Sequence, residues 1–112
     1  MFPRVYRLPG THLPVLLKSK KVFYSQFFSL KVVSGKNKQT LIGVIVPVKV
    51  SRLAVVRNRH KRLIREAIQP YLTKLKPNHE LLFLAKPAIL KQPQKVIQTD
   101  LGKLLKSCLL LN

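Results

Sequence analysis

The chain has 112 residues, 46% of them hydrophobic, with 22 Lys and Arg against 3 Asp and Glu and a formal net charge of +19. That length holds one domain with one core, and that hydrophobic share excludes a disordered basic tail. So one-sided a charge repels itself in the folded state and is relieved by a polyanionic partner, nucleic acid ahead of an anionic membrane surface.

Residues 1–10, MFPRVYRLPG, are expected to form an extended arm of a single domain spanning 1–112. Behind Arg4 and Arg7 no apolar stretch is long enough for a signal peptide. No run approaches the roughly 18 apolar residues that span a bilayer. A cytoplasmic protein with no membrane partner is the simplest expectation. Thr11 can cap a short helix with Pro14 in its first turn, Leu13, Leu16 and Leu17 on one face, and an end near Ser19–Lys21. VFYSQFFSLKVV, residues 22–33, reads as a strand with unequal faces, Phe28, Leu30 and Val32 alternating with Phe27, Ser29, Lys31 and Val33. SGKNK, 34–38, is a turn. Thr40 to Val46 is the next strand region, and Pro47 marks its end.

Ser51 or Arg52 opens a helix. At about 100° per residue, Val56, His60, Leu63, Ile64, Ala67 and Tyr71 share one arc. Arg57, Asn58, Lys61, Arg62 and Arg65 fall opposite, with Arg59 at the margin, so the helix has an apolar side and a cationic side. Pro70 predicts a kink or an end. KPNH, 76–79, is a turn. Leu81 to Ala85, LLFLA, has the uniform apolarity of a buried central strand. Pro87 and Pro93 bracket a loop. Val96, Ile97, Asp100, Leu101, Leu104, Leu105 and Cys108 place a last helix over about 94–110, with Lys103 and Lys106 outward. The order predicts an α+β sandwich.

Glu66, Glu80 and Asp100 are dispersed, as are His12, His60 and His79. Three scattered carboxylates cannot converge on catalytic cations, and a two-imidazole site would need a coincidence of folding. No catalytic and no metal-ligating residue is therefore assigned. The single cysteine, Cys108, excludes an internal disulfide and reads as a small buried hydrophobe.

The cationic helix carries the functional signal. Surface helices usually mix charges to gain i,i+4 pairs, whereas Arg57/Lys61 and Lys61/Arg65 are like-charge pairs that oppose helix formation by a few tenths of a kcal/mol each. Phosphates would reverse that sign. Among donors only, Asn58 adds an acceptor.

From Lys49 to Ala67, KVSRLAVVRNRHKRLIREA closely resembles the signature of the bacterial ribonuclease P protein family: a basic K-V-x-K segment, then A-V-x-R-N-R-x-K-R-x-x-R-E. Lys49, Arg52, Ala54, Val55, Arg57, Asn58, Arg59, Lys61, Arg62, Arg65 and Glu66 match in order and spacing. Arg7-Leu8 resembles the family's N-terminal R-L, Gly43 stands where the family has a glycine, and LLFLAKPA, 81–88, resembles a strand followed by A-R-P-A.

The resemblance implies an α-β-β-β-α-β-α sandwich with a left-handed βαβ crossover, the fold class of the second domain of a small-subunit ribosomal protein. It implies the non-catalytic protein subunit of an endoribonuclease. Its partners would be the catalytic RNA and the 5′ leader of precursor tRNA, with no protein partner required. The RNA, holding Mg2+, would do the chemistry. Lys49, Arg52, Arg57, Asn58, Arg59, Lys61, Arg62 and Arg65 would bind RNA, and Leu13, Leu17 and Phe28 would line the leader cleft. The chain departs from the family in having leucines for phenylalanines on the first helix, Val48 for the first of two lysines, and Pro47 and Pro70. Leucine cannot stack on a base. The alternative is a small ribosomal or general RNA-binding protein with no role in cleavage, which shares the charge without needing this motif.

Overall fold

The computed structural model describes residues 6–35 and 40–108. The first five residues of the arm, positions 36–38 of the expected turn and the terminal leucines Leu109–Leu111 lie outside the described residues. Alternation builds the sheet. Phe28, Leu30 and Val32 are buried and Ser29, Lys31 and Val33 less so along β2, Phe28–Ser34. The expected single strand over 22–33 is in fact a hairpin, with β1 at Val22–Tyr24 pairing antiparallel to β2. The break has a tertiary cause. Asp100 accepts hydrogen bonds from the Ser25 hydroxyl at 2.7 Å and the Phe27 N–H at 3.3 Å, and the Ser25 Oγ accepts from the Phe28 N–H at 3.1 Å.

β3, Leu41–Ile45, and β4, His79–Ala85, complete a sheet of order β1-β2-β4-β3 in which β3 and β4 are parallel. The uniformly apolar Leu81–Ala85 run is thus central, as its composition predicted. Between β3 and β4 runs the crossover helix α2, Ala54–Ile68, continued by a 3-10 stretch at Gln69–Lys74 that holds Pro70 in its first turn. The last helix, α3, spans Gln94–Ser107.

The core lies on one face of the sheet. Phe28, Leu30, Leu81 and Phe83 meet Ile64 and Ile68 of α2 and Ile97, Leu101 and Leu105 of α3. Phe28 and Phe83 pack edge to face with centroids 5.9 Å apart. Alternation turns Lys31, Leu82 and Gly43 to the other face, where they are register neighbours. A short helix, α1 (Leu13–Leu17), covers part of that face and buries Leu16. It starts later than Thr11 suggested, because Gly10–His12 form a 3-10 turn before it. His12 pairs with Glu80 of β4, and Lys31 Nζ donates to the Leu17 carbonyl at 2.6 Å. The arm is tied down at Leu8, whose N–H donates to the Ile42 carbonyl at 2.9 Å. Gly43 makes room for it: a Cβ there would lie 3.0 Å from Leu8 Cδ2 and 3.1 Å from Leu82 Cδ1.

Tyr71 anchors the end of α2 to α3, its hydroxyl donating to the Gln98 carbonyl at 2.9 Å. A Cβ on Gly102 would stand 2.5 Å from Tyr71 Oη. Helix propensity favours Ala over Gly by about 1 kcal/mol, but overpacking a fitted core costs about 1–3 kcal/mol. Gly102→Ala is therefore expected to lower stability by up to about 2 kcal/mol rather than raise it; urea unfolding measures the sign. Cys108 is half-buried against the core, and burial pushes its thiol pKa up, against the Ser107 hydrogen bond and the Lys21 charge. No helix among the described residues is long and apolar enough to cross a membrane.

Candidate nucleic-acid interface

Helix α2 begins one step later than expected, with Leu53 in the N-cap position and no side-chain cap. Its first N–H groups are open, and the helix dipole adds positive potential at the end where Lys49 and Arg52 stand exposed. The helix presents its cations in three strips. Asn58 and Arg62 form an exposed crest with Val55. Arg57, Lys61 and Arg65 form a half-buried row on one flank, and Arg59 stands exposed on the other.

Arg57 is not on the far side from the core. Its Nη1 donates to the carbonyls of Ser51 and Arg52, both at 3.0 Å. Arg57 thereby holds the loop that carries Lys49 and Arg52, while its remaining donors stay available. Arg57→Ala should lose about 1–3 kcal/mol of stability, since hydrogen bonds from a charged donor are involved, whereas Arg62→Ala should change it by less than about 0.5 kcal/mol. Chemical denaturation of the two variants side by side checks this.

The cations of this face are not paired with carboxylates among the described residues. Glu80 is engaged by His12, Asp100 by Ser25 and Phe27, and Glu66 is exposed at the end of the crest. No α2 cation forms an ion pair with a carboxylate among the described residues. Nor are three or more His, Cys, Asp or Glu side chains grouped there to hold a metal ion.

Arg65 links the helix to the open side of the sheet. Together with Arg7, Leu8 and Leu13 it lines a cavity of about 150 Å³ over Ile42–Ile45 of β3. Leu13 and Arg65, chosen separately from sequence, thus come together. Leu17 is exposed on α1. Phe28 does not join them: it is 0% exposed and packed on Phe83 in the core, on the opposite face. Among the described residues, the aromatic on the open face is Tyr24, 70% exposed, with Lys86 Nζ 5.4 Å from its ring centroid. Lys86 is held by the Ser25 carbonyl at 2.6 Å. Sequence reasoning missed Tyr24 and Lys86 as site residues. Lys86 had a signal, since it stands at the arginine of the A-R-P-A segment; Tyr24 had none without the hairpin register.

The sequence profile described as Ribonuclease P matches residues 2–109. The chain is 36% identical over 70 residues to the ribonuclease P protein component of a Synechococcus species, covering 62% of this chain and 53% of that protein. It therefore spans about half the length of that relative. With the component from Dictyoglomus turgidum it shares 38% identity over 88 residues, covering 77% of this chain and 72% of the other. The RNase P protein structure from Staphylococcus aureus superposes with a TM-score of 0.83 at 22% identity, covering 96% of this chain and 98% of that one, which shows a common fold. With its profile match over nearly the whole length, the chain belongs to the ribonuclease P protein family.

Proposed function

We propose that this chain is the protein subunit of ribonuclease P, acting in the cytoplasm on precursor tRNA. Its α2 face and the preceding loop bind the catalytic RNA, and the open face of the sheet holds the 5′ leader while the RNA cuts the phosphodiester. The observation that carries this reading is the cation face of α2, which has no carboxylate partner among the described residues. Lys49, Arg52, Arg59, Lys61, Arg62 and Arg65 neutralise phosphates, Arg57 does so while holding the loop, and Asn58 supplies an acceptor among donors. Support for the leader path is the cavity joining Leu13 to Arg65, with exposed Leu17 and Tyr24 and half-buried Lys86 on the same side of the sheet. Magnesium belongs to the RNA in this reading, because the described carboxylates are dispersed and two of them are engaged. If the seven cations on this surface all meet phosphates, log K against log salt should fall with a slope of about −5 to −6. A slope near −1 would contradict the assignment of this face as the footprint.

A further inference from the structure

On the flank of α2 away from Arg65 lies a second opening, of about 560 Å³, between the helix and residues 90–93. Its walls are apolar: Val56 and Leu63 from α2, Leu90 and Pro93 from the loop before α3. Ser51, Arg59, His60, Lys91 and Gln92 supply its polar groups, and no carboxylate lines it. We propose that this groove takes one unstacked nucleotide of the RNA that α2 binds, with the base between the apolar walls and the phosphate held by Arg59 and Lys91. The proposal rests on the RNA-binding reading given above.

Three observations point to a flat anionic ligand with a polar edge. First, the size is that of a small-molecule site, and apolar walls with a few convergent polar groups are how such sites hold a ring system. Second, His60 is 7% exposed and its ring makes one hydrogen bond among the described residues, through Nδ1. The Val56 carbonyl can only accept, so the ring donates from Nδ1 at 2.9 Å, and in the neutral ring Nε2 is left as an acceptor. Nε2 has no hydrogen-bond partner among the described residues, and the ring forms part of the groove wall. A base amino or imino N–H entering the groove would donate to Nε2, and Gln92 lines the same groove. Third, both charged residues on the groove are cations, and Arg59 also borders the crest that faces the RNA. A guanidinium plane and an imidazole are surfaces on which single-stranded bases stack. Lys91 sits at φ 63°, a left-handed conformation that an L side chain adopts at a steric cost and glycine does not.

The test is chemical probing of a bacterial ribonuclease P RNA with and without the full chain. Dimethyl sulfate reads the pairing edges of adenine and cytosine, a carbodiimide reads guanine and uracil, and hydroxyl radicals read the backbone. The expected result is one unpaired base that the protein protects. It returns to its free-RNA reactivity with Leu63→Trp, which fills the groove, while the backbone footprint stays. Lys91→Gly keeps the backbone conformation and removes the cation. It should raise Kd about 5- to 10-fold and make the salt slope shallower by about 1, with no loss of thermal stability. A backbone footprint that persists, with no base protected in a groove-dependent way and Lys91→Gly binding as the parent does, overturns the groove proposal alone. No backbone footprint from the parent protein overturns the RNA reading itself and the proposal with it. Should Leu63→Trp not fold, Lys91→Gly decides.

Discussion

Changing Arg59 and Arg62 together to alanine is expected to weaken binding to ribonuclease P RNA by about 30- to 1,000-fold. The estimate follows from two contacts to charged groups at about 1–2 kcal/mol each, with 1.4 kcal/mol per factor of ten. The slope of log K against log salt should become shallower by about 1.4–1.8, since each lost phosphate contact removes about 0.7–0.9. The fold should not notice. Both residues are exposed and neither has a carboxylate partner among the described residues, so stability should shift by less than about 1 kcal/mol in total. This separates them from Arg57, whose guanidinium is tied to the Ser51 and Arg52 carbonyls. An equal loss of affinity from a variant that had also unfolded would say nothing of the interface, so both titration and thermal melting are needed.

The second large effect is a contrast between two aromatics. Phe28→Ala empties a fully buried site against Phe83 and should cost about 3–5 kcal/mol of stability. Tyr24→Ala removes an exposed ring and should leave stability within about 0.5 kcal/mol. If the leader runs along the open face, Tyr24→Ala should weaken the gain in affinity that a leader-bearing precursor has over mature tRNA by about 5- to 150-fold. A stacked base is worth about 1–3 kcal/mol. Comparing the two substrates on the holoenzyme isolates that gain. An unchanged precursor-to-mature ratio would move the leader off this face.

Those two aromatics also show where sequence reading ran out. In β2 the alternation of Phe28, Leu30 and Val32 was legible, and it placed the three on one face correctly. Which face looks toward α1 depends on a hairpin whose position is set by Asp100, 75 residues from Ser25. With that hairpin, Tyr24 pairs with Ser29 and points to the open side; without it, Tyr24 is one more aromatic in an apolar run. Helix α2 was legible because fifteen residues give several turns of phase and Pro70 marks its end. Arg57 was misplaced because hydrophobicity alone puts every arginine outward, while a guanidinium at the helix start can turn back onto the preceding carbonyls. The central strand was legible from its uniform apolarity, which reflects cover on both faces by the core and by α1. The left-handed crossover is an implication of the family resemblance alone, since the general rule for parallel crossovers points the other way.

The most direct measurement is removal of the 5′ leader from a precursor tRNA by a bacterial ribonuclease P RNA at low magnesium, with and without this protein. Clear stimulation by the parent chain is expected. The Arg59→Ala, Arg62→Ala double variant should lose most of that stimulation at protein concentrations that saturate the parent, and regain it when the variant is raised to its own weaker Kd. No stimulation by a folded protein that binds the RNA tightly would contradict the subunit role and leave a basic RNA-binding protein with another partner.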